Sequence, residues 1–74
     1  MRVKINLDTT NDAIKLSRIA EKLEGNITIT DGNGLKVNAK SVMGALYSLE
    51  FSELWLESDH DIYHHIVSFI KVED

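Results

Sequence analysis

The sequence predicts an α+β domain: a two-layer open-faced β-sandwich in the order β-α-β-β-α-β-α. Its sheet is four-stranded and mainly antiparallel, with three helices on one face. Three observations predict this. Four short stretches alternate apolar and polar residues, so each offers one apolar face, as strands covered on one side do. Three other stretches space their apolar residues by three and four, as amphipathic helices do. The chain has 74 residues, enough for one domain, spanning 1–74, in two packed layers.

Taken in order, Val3, Ile5 and Leu7 alternate with Arg2, Lys4 and Asn6 to give the first strand. Residues 8–11 are turn formers, and Thr10 or Asn11 is placed to cap a helix, with Asp12 near the positive end of its dipole. Ala13, Leu16, Ile19, Ala20 and Leu23 form the helix stripe, Ile14 widens it, and Gly25 stops it. Ile27 and Ile29 alternate with Thr28 and Thr30 in a second strand, and Asp31-Gly32-Asn33-Gly34 is a dense turn signal. Leu35, Val37 and Ala39 then alternate with Lys36, Asn38 and Lys40, placing both lysines on one strand face. At Ser41 the period changes. Val42, Ala45, Leu46 and Leu49 fall at helical spacing, and Ser41 stands where an N-cap belongs. Residues 50–52 connect to a fourth strand with Leu54 and Leu56 inside and Glu53, Trp55 and Glu57 outside. Ser58, with Asp61 three residues on, reads as a capping box. A last helix follows, buried through Ile62, Ile66, Phe69 and Ile70, extended by Val72, with Glu73 and Asp74 frayed.

Composition narrows the functional classes. With no cysteine there is neither a disulfide framework nor a thiolate metal site. A net charge of −4 and scattered lysines argue against nucleic acid, which demands clustered cations. No apolar run approaches the roughly 20 residues of a membrane span, and Met1-Arg2 leads into strand alternation rather than a signal-peptide pattern. The expectation is a cytoplasmic protein with no membrane partner and no cofactor.

The element order, the length and above all residues 37–44, VNAKSVMG, resemble HPr, the small histidine-containing phosphocarrier of the bacterial sugar phosphotransferase system. The likeness covers most of the chain by pattern and is concentrated at that strand-into-helix junction. In the family, a histidine before the first helix, in a Gly-x-His-x-Arg-Pro context, carries the phosphoryl group. A gap-free count back from Ile27 puts Asn11 at the histidine position, Ala13 at the arginine position and Ile14 at the proline position. Asparagine cannot form a phosphoramidate, and no histidine precedes His60. The resemblance also implies a regulatory serine at the start of the second helix, phosphorylated in many relatives by an HPr kinase, and Ser41 stands there. It further implies a partner-docking surface at Val42, Met43, Leu46 and Tyr47.

Three other features carry weaker chemistry. His60 and His64 are four apart, as are Asp61 and His65, but the sequence fixes no third or fourth ligand, so solvated histidines are expected rather than a metal site. Trp55 falls on the polar side of its strand, packed on an otherwise hydrophilic outer face. The favoured expectation is a non-enzymatic HPr-like regulator or adaptor in sugar-transport or carbon-catabolite control. It lacks the carrier histidine at Asn11, carries Ser41 either as a helix cap alone or as a phosphorylated switch, and binds phosphotransferase-system or catabolite-control proteins as a monomer or weak dimer. The alternatives are a phosphotransfer component using His60 as acceptor, and a structural or assembly domain acting through the outer face with Trp55, Lys36 and Lys40.

Overall fold

The computed structural model describes residues 1–70. The strands are β1 (Arg2–Lys4), β2 (Ile27–Thr30), β3 (Lys36–Asn38) and β4 (Trp55–Ser58); the helices are α1 (Thr10–Glu21), α2 (Val42–Tyr47) and α3 (Tyr63–Ile66). The sheet order is β1-β4-β2-β3, and every neighbouring pair is antiparallel.

The period-two pattern explains the two faces. On the inner face Val3 pairs with Leu56, Leu56 with Ile29, and Ile29 with Val37, one apolar row across all four strands. The outer rows run Lys4–Trp55–Thr30–Lys36 and Arg2–Glu57–Thr28–Asn38. The inner row meets Ala13, Leu16 and Ala20 of α1, Ala45 of α2 and Ile66 of α3 in one core. Helix α1 packs against both α2 and α3. The arrangement is that of a four-stranded antiparallel sheet with helices over one face. Among the described residues no helix is long and apolar enough to cross a membrane.

Several local expectations are corrected. The N-cap of α1 is Thr9, not Thr10 or Asn11; its side chain accepts a hydrogen bond from Asp12 N. Residues 8–11 are all turn or cap formers, so local chemistry does not choose among them. Leu35 is 51% exposed, because β3 begins only at Lys36 and Leu35 N is held by Asp31 Oδ1 in the turn. Lys40 is not on the strand: β3 ends at Asn38, and Lys40 N donates to Asn38 Oδ1. Ser58 does not cap α3. It is still in β4, paired with Ile27, and its hydroxyl donates to the His60 carbonyl. The helix consequently starts at Tyr63 with no side-chain cap and tightens into a 3₁₀ turn, Val67–Phe69. Ile70 is not helical either. It bridges Ile5, while Asn6 N donates to Phe69 O, so this segment covers the outer edge of β1. Val72, Glu73 and Asp74 lie outside the described residues.

The outer face is closed by charge. Glu57 Oε2 lies 3.1 Å from Arg2 Nε, and Oε1 lies 3.1 Å from Lys36 Nζ. The Lys36 hydrogen bond is the main cause that holds the Glu57 carboxyl below its ordinary value of 4.5; desolvation opposes it, and the charges of Lys36 and Arg2 assist. A carboxyl depressed in the folded state stabilises it above the unfolded value, and that stability is lost as pH falls through the folded value. Thermal melts between about pH 5 and pH 2 should therefore show a shallower acid-side decline for Glu57→Gln than for the parent chain. Parallel curves would remove this role for Glu57.

Candidate functional site

The entrance to α1 is where the resemblance would place phosphoryl chemistry. Here it is filled by the chain's own carboxylates. Thr9 Oγ1 accepts from Asp12 N at 3.2 Å, Asp12 Oδ2 accepts from Asp8 N at 3.0 Å, and Asp8 Oδ1 accepts from Asn6 Nδ2 at 2.9 Å. A negative group already occupies the positive end of the helix dipole. The adjoining cavity, about 370 Å³, is lined by Asp8, Asp12 and Lys15 with Asn6 and residues 68–70, and by no imidazole. An incoming phosphate would meet two carboxylates and one lysine. Asn11 is exposed in the first turn of α1, two residues past the cap. Ala13 is fully buried in the core, so a guanidinium at that position would have no route to the surface.

The strand–serine–helix junction forms as the change of period predicts. Ser41 is the N-cap of α2, extended at φ −93° and ψ 125°, and its hydroxyl accepts from Gly44 N at 3.2 Å. Ser41 N donates to Asn38 O at 3.1 Å, so the chain turns tightly out of β3. Gly44 is required by this closeness: a Cβ there would lie 2.6 Å from Asn38 O. Ser41 as a residue is half-buried rather than enclosed. Beside it the helix turns apolar residues outward. Met43 is 81% and Tyr47 57% exposed, and Val42 is also exposed. Leu46 is instead partly buried against the core and forms the floor of this surface. Tyr47 packs edge-on against Phe51, ring centroids 5.9 Å apart, which braces the far end.

The histidines are not one cluster. His60 and Asp61 precede α3, so neither repeats with His64 or His65 along the helix. The His60 ring lies against Gly25, and neighbouring Asp59 accepts from Asn26 N at 3.0 Å. Among the described residues no three His, Asp or Glu side chains converge as a metal-ligating group. His64 and His65 do share a groove, but with the C-terminal end of α1: Arg18, Ile19, the C-cap Lys22 and Leu23 just past it form its other wall. Sequence reasoning missed this grouping, because α1 and α3 are more than forty residues apart and only their packing brings them together. Trp55 lies on the outer face as expected. The Arg2 guanidinium stands 4.4 Å and the Lys4 ammonium 5.6 Å from its ring centroid, so cations already sit over it.

No family model, no curated protein and no solved structure matches the chain.

Proposed function

We propose that this chain is an HPr-like binding protein without carrier function, a regulator or adaptor in sugar-transport or carbon-catabolite control. Its working surface is the start of α2, with Ser41 as the switch. The observation that carries this reading is the outward-facing Met43 near the Ser41 cap, with Tyr47 exposed at the other end of the same short helix. Large apolar side chains grouped on a surface favour protein docking. The self-capped entrance of α1 supports the loss of phosphoryl transfer. A phosphate on Ser41 would add about −1.5 to −2 charges at a helix N-terminus next to that surface. Such a change alters partner choice without requiring a new fold.

Two labelling reactions test this. With phosphoenolpyruvate and the first enzyme of the phosphotransferase system, no acid-labile phosphate is expected; phosphate on His60 would overturn the loss of carrier function. With ATP and an HPr kinase, a single acid-stable phosphate on Ser41 is expected, and an unmodified Ser41 would remove the switch. Binding to catabolite-control proteins should then differ between the phosphorylated and unmodified chains. Met43→Asp should abolish that binding while leaving the melting temperature unchanged, since this side chain is exposed.

A further inference from the structure

We infer that the groove between α1 and α3 is a binding site for a small phosphate monoester carried on an apolar body. It is a different surface from the one at the start of α2. The groove is open to solvent, with a volume of about 570 Å³, and is lined by Arg18 and Ile19 of α1, by Lys22 and Leu23 at and just past its C-terminal end, and by His64 and His65 of α3. That volume falls within the range of small-molecule sites, roughly 300–1,000 Å³.

The chain carries a net −4, yet every ionisable side chain lining this groove is a cation or an imidazole. Among the described residues the ion pairs are Arg2–Glu57, Lys4–Glu53 and Lys36–Glu57, so Arg18 and Lys22 are not neutralised by a carboxylate. Arg18 in the last turn of α1 and Lys22 at its C-cap are four residues apart, which places both on the same wall. The guanidinium offers a planar fork of donors, the ammonium a point charge, and each imidazole a ring N–H. This donor set suits a doubly charged tetrahedral oxyanion better than a single carboxylate.

The apolar part of the lining points to an organic body on the phosphate. Ile19 and Leu23 are only partly buried against the core, and their remaining surface forms the floor between the cations. An inorganic anion would leave that floor wet. A ligand with a ring or short alkyl group beside its phosphate would cover it. Two other grooves lack this combination: the one at the α1 entrance contains Asp8 and Asp12, and the one beside Lys36 and Lys40 has no imidazole or guanidinium, with Lys36 paired to Glu57.

The test is an amide NMR titration of the full chain with phenyl phosphate, inorganic phosphate and benzoate at constant ionic strength. Saturable shifts confined to residues 18–23 and 64–65 are expected with phenyl phosphate. Inorganic phosphate should bind at least about threefold more weakly, having no apolar group to cover Ile19 and Leu23. Arg18→Ala with Lys22→Ala should weaken phenyl phosphate about tenfold or more. Both side chains are solvent-facing, so the variant's unchanged amide spectrum elsewhere certifies its fold. Non-saturating shifts, shifts centred on another surface, or equal affinity of the double variant would overturn the site. Equal affinity for benzoate would overturn the phosphate assignment. Capture by phosphatidylcholine vesicles containing phosphatidic acid, with no response to phenyl phosphate, would overturn the small-ligand assignment.

Discussion

Leu56→Ala is expected to leave the chain largely unfolded at room temperature in plain buffer. Leu56 has no solvent exposure and sits at the centre of β4, with Val3 on one side and Ile29 on the other. Truncating a buried leucine removes its transfer free energy and leaves a cavity, together about 3–5 kcal/mol where the surroundings cannot collapse. Both neighbours here are fixed by the sheet ladder. A domain of this size holds about 5 kcal/mol in total. Urea denaturation followed by Trp55 fluorescence and far-UV circular dichroism should place the midpoint near zero denaturant. Leu56→Met, which conserves volume, should lose less than about 1.5 kcal/mol. An alanine variant with a nearly normal midpoint would mean that β4 does not centre the core.

Gly44→Ala should be the next most damaging change, and its sign is the informative part. Inside an ordinary exposed helix this substitution stabilises by about 1 kcal/mol, since alanine is the better helix former. In α2 the new methyl would lie 2.6 Å from Asn38 O, with Asn38 C and N at 3.5 Å. All three are backbone atoms in or beside β3, so no side chain can swing aside. The helix must move away from the strand end, and a net loss of about 2 kcal/mol is expected. Chemical unfolding measures it. The same displacement would carry Met43 and Tyr47 with it, so loss of partner binding should accompany loss of stability. A stabilised Gly44→Ala chain would show that α2 does not rest on the strand as described.

Where one element's own residues decide its structure, the sequence was enough. The alternation of Val3, Ile29, Val37 and Leu56 against their polar neighbours specified which face of each strand is covered. The change of period at Ser41 specified the cap of α2, though not the end of β3, which stops at Asn38. Legibility failed where a distant segment competes for the same groups. The Ser58–Asp61 pair has capping-box spacing, but pairing with Ile27 keeps Ser58 extended. Phe69 and Ile70 continue a helical stripe, yet the exposed edge of β1 takes the Phe69 carbonyl and bridges Ile70. Ser17 and Ser48 count as polar along the chain but are fully buried, each hydroxyl bonded to the carbonyl three residues back. Of the candidate surfaces, the one on α2 lies within a single helix and was readable; the groove of Arg18, Lys22, His64 and His65 exists only once two helices pack.

The place of β1 in the sheet bears on how the protein is made. Its ladder partner is β4, more than fifty residues later, and Ile5 is held by the Leu54 carbonyl and bridged to Ile70. Because synthesis runs from the N-terminus at about 5–20 residues per second, the first strand emerges seconds before anything it can pair with exists. Until then β2 and β3 form at most an isolated hairpin, and such hairpins are marginal in water. Closure of the sheet thus waits until β4 has been made. In that interval Val3, Ile5 and Leu7 are the residues a chaperone would find uncovered.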